Sequence, residues 1–227
     1  MKKLLPALVL FLLICQVGFA QENNFTKPDY QSIREKTSSQ TSGFYYPELF
    51  QRYQEHDTTL QHEHYRMLYY GYVFQPEYGP GESSVFSDSL RMIYEKDKLQ
   101  QNDFQKIIRY ERRVLEKDPF SLRDLNALAY AHDQAGNKEQ TKRLDYKINL
   151  IVETILSSGN GLKEKSAWHV NEISHEYDIL NVLGFEPKGE QSLRREGHDY
   201  IKVKDNKYGI GGFYFNVSHI VDHQKEQ

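Results

Sequence analysis

The segment from Asn102 to Leu144 constrains the fold most, because it predicts a helix, a stop and a second helix in direct succession. It reads NDFQKIIRYERRVLEKDPFSLRDLNALAYAHDQAGNKEQTKRL. Apolar residues recur at three- and four-residue spacing on both sides of Asp118-Pro119, and proline disfavours helical geometry at the residue before it. Ser121, with Asp124 three residues later, is placed to cap the second helix. We therefore expect two helices joined by a short turn.

This segment resembles the tetratricopeptide repeat, a pair of helices that stacks in series. NDFQKIIRYERRVLEKDP is similar to the second helix of one repeat, and LNALAYAHDQAGNKEQTKRL to the first helix of the next. The turns at Asn102 and Gly136 are 34 residues apart, which is the period of that repeat. Ile107 and Thr141 depart from the pattern, since the family prefers alanine there. Only part of a repeat array is recognisable, so flanking segments are expected to complete the core.

The resemblance implies a ligand-facing groove on the first helix of a repeat. In register, the groove residues of this chain are Arg123, Asn126, Tyr130, Asp133 and Gln134. Tyr130 stands where members that clamp a carboxylate carry asparagine, which argues against that ligand. Any amphipathic helix divides its faces in this way, so a purely architectural helix is the alternative.

The first 20 residues have the pattern of a secretory signal peptide. Lys2 and Lys3 precede an apolar run over residues 4–17, and the small residues Gly18 and Ala20 favour cleavage after Ala20. A membrane anchor is the alternative, but the run is shorter than the roughly 20 apolar residues that a spanning helix needs. We expect an exported protein of the periplasm or cell surface, with no integral membrane segment after cleavage.

Composition excludes several classes of function. The single cysteine, Cys15, lies in the signal, so cleavage leaves no disulfide, thiol nucleophile or thiolate metal site. A lipid anchor at Cys15 is disfavoured, because Ile14 stands where a lipobox has glycine or alanine. The formal net charge is −3 before cleavage and shows no basic excess, so no nucleic-acid partner is expected. With 17 tyrosines and 12 phenylalanines, the core is expected to be rich in rings.

The C-terminal third changes from helical to period-two patterning. Ile201 and Val203 alternate with polar residues, as do Phe213 and Phe215, which is typical of strands with one buried face. We predict an α+β chain with a mainly α-helical, tetratricopeptide-like body and a C-terminal antiparallel β-sheet. The expected divisions are a signal peptide at 1–20, a flexible segment at 21–43, the helical region at 44–160 and a small antiparallel β region at 161–227.

The stretch LYYGYVFQPEYGPGE, residues 68–82, admits two interpretations. Its rings can join the first helices to the repeat-like middle, or they can stack against a sugar or a peptide. We favour core packing for most of them and expect Tyr78, between Pro76 and Gly79, to be exposed. Tyr72 and Tyr78 are the residues proposed for ligand stacking.

No motif for catalysis, a metal or a cofactor emerges from the sequence. His62 and His64 are two residues apart and point to different sides of a helix, and the pair His219 and His223 lacks a third ligand. The HExxH zinc signature is absent, and Ser218 lacks the GxSxG elbow of a serine hydrolase. Carboxylates for glycoside hydrolysis could be drawn from Glu172, Glu176 and Asp178, whose separation the sequence does not give.

Taken whole, the chain resembles a family of exported Bacteroidetes-type proteins that is known only as a domain of unknown function. The resemblance rests on the signal peptide, LYYGYVFQPEY, the helical middle, and QSLRREGHDYIKV followed by YFNVS. It implies no activity, ligand or catalytic residue. In that bacterial group a short Asp-Ser/Thr pattern is O-glycosylated, which makes Thr58 and Ser89 possible acceptors.

The function favoured by the sequence is that of an exported, non-enzymatic binding or scaffold module. Its groove would hold a protein or peptide partner in the cell envelope, and no cofactor is expected. Two alternatives remain open. One is an envelope hydrolase whose carboxylates converge only in three dimensions. The other is a glycan-binding protein that uses the aromatic loop Tyr69–Tyr78.

Overall fold

A computed structural model describes residues 25–80, 86–189, 192–194 and 197–226, so the predicted signal peptide lies outside the described residues. The helices are α1 Tyr30–Ser38, α2 Tyr46–Gln54, α3 His62–Gly71, α4 Ser87–Tyr94, α5 Gln101–Leu115, α6 Leu122–Gln134, α7 Lys138–Leu156, α8 Ile173–Val182 and α9 Ser218–Glu226. Short 3-10 helices lie at Tyr72–Phe74 and Glu164–Ser166. The strands are β1 Trp168–His169, β2 Ser192–Arg194, β3 His198–Lys202 and β4 Gly212–Asn216. The α+β fold class is confirmed.

The predicted helix, stop and helix correspond to α5, the turn at Asp118-Pro119, and α6. The Ser121 hydroxyl accepts a hydrogen bond from the Asp124 amide at 3.3 Å, which confirms the predicted cap. Gly136 follows α6 with φ +81°, the left-handed geometry that ends many helices. The helix α6 packs on both α5 and α7. These three helices form the centre of the helical body.

The segment predicted to be flexible, residues 21–43, contains the helix α1. Ile33 and Thr37 of α1 are buried, and the Tyr30 ring meets the Tyr70 ring edge-on at 5.9 Å. The helix packs on α3. The helix was hard to predict from the sequence, because α1 buries few residues and the neighbouring residues are polar and small.

The sheet has the strand order β1-β4-β3-β2. The pairs β2–β3 and β3–β4 are antiparallel, as the alternating pattern predicts, but β1 pairs with β4 in parallel through Trp168 and Phe215. The sheet is therefore mixed rather than wholly antiparallel. A strand of two residues is too short to show a period, so β1 could not be found from patterning. The region 161–227 also contains α8 and α9.

The four tyrosines of the aromatic stretch are buried, including the residue expected at the surface. Tyr78 is only 4% exposed, and its hydroxyl donates to the Asn171 carbonyl at 2.8 Å. Tyr72 is 5% exposed, and its hydroxyl donates to the Lys117 carbonyl at 3.1 Å. The expectation of an exposed Tyr78 is wrong, because a hydroxyl with a carbonyl partner can be buried at little cost. The faces of both rings are covered, so they offer no platform for stacking.

One chain of hydrogen bonds joins three separate parts of the fold. The Tyr69 hydroxyl accepts a hydrogen bond from the main-chain N–H of Asn171 at 3.0 Å and lies 2.7 Å from His175 Nδ1. His175 Nε2 lies 3.1 Å from the Phe120 carbonyl oxygen. A carbonyl can only accept, so Nε2 carries the proton, Nδ1 accepts, and the Tyr69 hydroxyl donates. Burial lowers the pKa of His175 and keeps the ring neutral, as this chain requires.

Among the described residues, no helix combines the length and the apolar character that crossing a membrane requires.

Replacing Tyr69 with phenylalanine tests this chain. Tyr69→Phe leaves the Asn171 amide and His175 Nδ1 buried without their partner, so we expect a loss of about 1–3 kcal/mol in the free energy of unfolding. Urea unfolding followed by circular dichroism measures it. The control is Tyr208→Phe, whose ring is 65% exposed and which should change stability by less than about 0.5 kcal/mol. Equal effects of the two substitutions would contradict the role assigned to Tyr69.

Candidate functional site

A cavity of about 680 Å³ lies where α4, α5 and α6 meet the start of α8 and one face of α9. We call it the acid pocket, after its carboxylates. Its charged lining residues are Arg91, Glu95, Glu111, Lys117, Asp118, Arg123, Asp124 and Glu172. A volume of this size accommodates a small molecule or an amino-acid side chain with its neighbours.

Glu111, on α5, is the most deeply buried carboxylate of the acid pocket, with 1% of its surface exposed. Its Oε1 accepts a hydrogen bond from the Tyr94 hydroxyl at 2.6 Å. Its Oε2 has no hydrogen-bond partner among the described residues. Burial raises the pKa of Glu111 to about 7, although the Tyr94 bond acts in the opposite direction. Near neutral pH the protonated and the ionised forms of Glu111 are therefore both populated.

Asp118 and Glu172 form a carboxyl pair in the same cavity. The two side chains are in hydrogen-bond contact, while Asp118 Oδ1 has no hydrogen-bond partner among the described residues. Burial first, and then the charge of Glu172, raises the pKa of Asp118 to about 8. Burial also raises the pKa of Glu172. Two ionised carboxylates in contact repel, and a pKa of about 8 leaves Asp118 mostly protonated at neutral pH.

The fold places this pair through the hydrogen-bond chain of Tyr69. Asp118 ends the turn after α5, two residues before Phe120, whose carbonyl accepts from His175. Glu172 follows Asn171 directly and is the residue immediately before α8. The Ser174 hydroxyl donates to Glu172 Oε2 at 3.3 Å. The two carboxyls therefore come from segments that the Tyr69 chain locks together.

Two cations that line the acid pocket pair with carboxylates, and a third, Lys117, is in no ion pair with the described residues. Arg91 pairs with Asp88 at 2.9 Å, and Arg123 lies 3.6 Å from Asp124 while remaining largely exposed. In the described part of the chain, neither Glu111 nor the Asp118–Glu172 pair is in an ion pair. Among the described residues, the charge of Arg123 lowers the pKa of Glu111 but does not offset the effect of burial.

Of the groove residues predicted from the repeat, Arg123 lies at the acid pocket and the others lie further along α6. Asn126 donates to the Leu122 carbonyl at 2.8 Å, and Asp133 pairs with Lys138 at 2.6 Å. Tyr130 is 52% exposed, and its ring meets Phe104 at 5.9 Å. Gln134 is exposed at the end of the helix. These residues share the exposed face of α6 and stay predictions.

The remaining predicted residues do not converge on the acid pocket. Thr58 is exposed and Ser89 is partly exposed, and their glycosylation stays a prediction. The rings of His219 and His223 pack on Tyr30 and Tyr78, at 4.0 and 5.2 Å between ring centroids. Over the residues that the structure describes, no three His, Cys, Asp or Glu side chains are grouped to hold a metal ion.

Of the carboxylates considered for glycoside hydrolysis, Glu172 lines the acid pocket and Glu176 lies elsewhere. Glu176 is fully buried against Asp199, and burial followed by the charge of Asp199 raises the pKa of Glu176 to about 9. Asp178 does not line the pocket, but its charge contributes to the raised pKa of Glu172.

Sequence reasoning missed Glu111, Asp118 and Tyr94 as site residues. A signal for Glu111 was present, because it continues the apolar stripe of Ile107 and Val114 at helical spacing. A carboxylate on the buried face of a helix is uncommon unless it is paired or functional. Asp118 carried no such signal, since Asp before Pro is an ordinary helix stop.

The pKa of Glu111 predicts a pH-dependent effect of Glu111→Gln on stability. The folded state binds more protons than the unfolded state between about pH 4.5 and pH 7, so the wild type loses stability as pH rises through this range. Glutamine removes this loss. Relative to wild type, we expect Glu111→Gln to be nearly neutral at pH 5 and stabilising by about 2 kcal/mol at pH 8.

Urea unfolding at the two pH values measures this difference. Glu116→Gln is the matched control, because Glu116 directly follows the same helix but is exposed and pairs with Arg113. Taking differences from the wild type cancels the titration of every other group. An equal effect of Glu111→Gln at pH 5 and pH 8 would contradict a raised pKa.

Comparison with known proteins places the chain in a family without naming an activity. The family described as "Domain of unknown function (DUF4919)" matches residues 31–226, a range that includes every residue of the acid pocket. Comparisons with curated proteins and with solved structures gave no match. Because the match covers most of the sequence, the chain belongs to the DUF4919 family.

Proposed function

We propose that this protein is an exported binding module that takes a basic side chain of a protein or peptide partner into the acid pocket. The observation that carries the proposal is Glu111 Oε2, a carboxylate oxygen that is buried in the acid pocket wall with no partner among the described residues. Burying a polar group without a partner costs free energy. A ligand that supplies the missing donor recovers that cost.

The buried carboxyls favour a cationic ligand, because a positive charge can take the place of the proton that they hold. Burial raises the pKa values of Glu111 and Asp118, so each side chain keeps or shares a proton that a positive charge can displace. A lysine ammonium offers three donors, and an arginine guanidinium can bond two carboxylate oxygens in parallel. Binding therefore releases protons and replaces them with an ion pair.

The walls of the acid pocket suit the aliphatic part of such a side chain. Leu90, Val114 and Ile173 contribute apolar surface beside the carboxylates, and the Tyr94 ring stands at the rim with 46% of its surface exposed. Lysine and arginine carry long methylene stems that pack against apolar surface while the charged head finds polar partners. The pocket thus matches both halves of a basic side chain.

The rest of the partner would follow the exposed face of α6. Arg123 belongs both to the acid pocket and to this face, which continues through Asn126 to Tyr130. The packing of α6 on both α5 and α7 agrees with the arrangement that a tetratricopeptide-like register predicts. The signal-peptide pattern of residues 1–20 supports an envelope partner.

Binding should strengthen as pH rises. Below about pH 7 the interior carboxyls are protonated and bind a cation weakly, and above about pH 8 they are ionised. We expect the Kd for end-blocked Gly-Arg-Gly to fall by about tenfold between pH 6 and pH 8, as far as one coupled proton allows. Isothermal titration calorimetry of the protein measures this Kd at the two pH values, with end-blocked Gly-Gln-Gly as the neutral comparison.

Variants separate the acid pocket from general surface attraction. Glu111→Gln should weaken binding of Gly-Arg-Gly and flatten its pH dependence, whereas Glu116→Gln should leave both unchanged. Tyr130→Ala should weaken a longer basic peptide but not the tripeptide, if the α6 face binds the rest of the partner. Equal binding of Gly-Arg-Gly and Gly-Gln-Gly, or no effect of Glu111→Gln, would overturn the proposal.

A hydrolase is a second candidate, and the Asp118–Glu172 pair is the observation that favours it. Two carboxyls that share one proton can divide the roles of acid and base, with one taking a proton from water and the other donating to the substrate. A pool of internally quenched peptides containing basic residues, assayed from pH 4 to pH 8, tests this. Cleavage that is lost in both Asp118→Asn and Glu172→Gln and kept in Glu116→Gln would support it. Peptide binding without cleavage would contradict the hydrolase and leave the binding module standing.

A further inference from the structure

A second cavity, of about 160 Å³, is lined by residues of α2, α5, α6 and α7 and contains a buried lysine. We call it the lysine pocket. Apolar residues form much of its wall, among them Phe50, Leu125, Leu128 and Leu144. Lys147, from α7, is 5% exposed and lines the cavity. Lysine is among the residue types that proteins bury least, unless its ammonium is paired.

Lys147 has no such pairing. Its Nζ lies 4.0 Å from the centroid of the Tyr53 ring, and within the described residues it is in no hydrogen bond or ion pair. The Tyr53 hydroxyl donates to the Pro119 carbonyl at 2.6 Å, which fixes the ring beneath the amine. The amine is therefore held in place by packing and is not neutralised by a carboxylate.

The titratable neighbours do not supply a counter-charge. Arg112, His56 and His132 line the same cavity, and the positive charges of Lys147 and the nearby arginines contribute to lowering the pKa of His56 to about 4, after burial. Glu116 also lines the cavity but pairs with Arg113 at 3.1 Å. Desolvation lowers the pKa of Lys147 to about 7, so much of the amine is uncharged at neutral pH.

We propose that Lys147 is a nucleophilic amine that forms a Schiff base with a small aldehyde in the lysine pocket. An uncharged lysine amine in an apolar cavity is the usual arrangement for this chemistry, since only the free base carries the attacking electron pair. The cavity volume limits the ligand to a few heavy atoms, which excludes a bulky aromatic cofactor. This site is separate from the acid pocket, and the proposal does not depend on peptide binding there.

The step is a condensation. The Nζ lone pair attacks the carbonyl carbon, a carbon–nitrogen bond forms, and the carbonyl electrons move to oxygen. One nitrogen-bound proton transfers to that oxygen to give a carbinolamine. The carbinolamine loses its hydroxyl group and the remaining nitrogen-bound proton as water, and the carbon–nitrogen double bond of the imine forms. No oxidant or reductant is needed.

Reductive trapping with propanal and cyanoborohydride tests the proposal at pH 7. Peptide mapping by mass spectrometry measures propylation at each lysine after a short exposure. We expect Lys147 to be modified about tenfold or more faster than Lys138 and Lys142, which are exposed on the same helix, because a pKa near 7 leaves far more free base. Modification of the exposed lysines with Lys147 unmodified would overturn the proposal.

The pH profile distinguishes a nucleophile from a lysine that only fills space. The rate at Lys147 should level off above about pH 7.5, whereas the rate of a blocked lysine amino acid measured in parallel should keep rising through pH 9. Lys147→Met should remove the fast-reacting site, and Lys142→Met should not. A Lys147 rate that keeps rising through pH 9, in parallel with that of the blocked lysine, would overturn the proposal without any variant.

Discussion

The structure depends on the buried contact between the Tyr69 hydroxyl and the His175 ring. It ties α3 to α8 and, through His175 Nε2, to the turn that holds Phe120. Every donor in this chain has one acceptor, so a single tautomer and a single arrangement satisfy it. Such networks are stabilising only when complete, because a partly satisfied network leaves polar groups buried without partners. The chain therefore fixes the relative positions of segments that lie 106 residues apart in sequence.

The same constraint explains why the acid pocket can retain carboxyls that oppose stability. Asp118 and Glu172 lie beside the two ends of the Tyr69 chain, so they are held together although they repel when ionised. Glu111 adds a buried oxygen that has no hydrogen-bond partner in the described part of the chain. Each of these groups favours unfolding as pH rises toward its raised pKa. Residues that lower stability and concentrate in one cavity are typical of a site kept for binding or chemistry.

Local signals predicted much of the fold but little of the site. The cap at Ser121 and the alternation through Phe213 and Phe215 depend on neighbours within a few residues, so the sequence displays them directly. Glu111 and Glu172 line the same pocket but come from segments that are distant in the chain, so no sequence spacing predicts that they meet. The prediction of an exposed Tyr78 failed for a related reason. Its proline and glycine neighbours indicated a surface turn, whereas its burial depends on the carbonyl of the distant residue Asn171. The parallel strand β1 likewise could not be predicted from the sequence, because a strand of two residues is too short to show an alternating pattern.

An NMR titration of the side-chain carboxyl carbons, in the free protein and with Gly-Arg-Gly, tests most directly whether the acid pocket binds a cation. Glu111 and Asp118 should titrate near pH 7 and pH 8 in the free protein, well above the ordinary carboxyl range. Both midpoints should move down when the peptide binds, since a cation favours the carboxylate. Ordinary midpoints near pH 4 in the free protein, or midpoints that the peptide does not move, would contradict a pocket built to receive a positive charge.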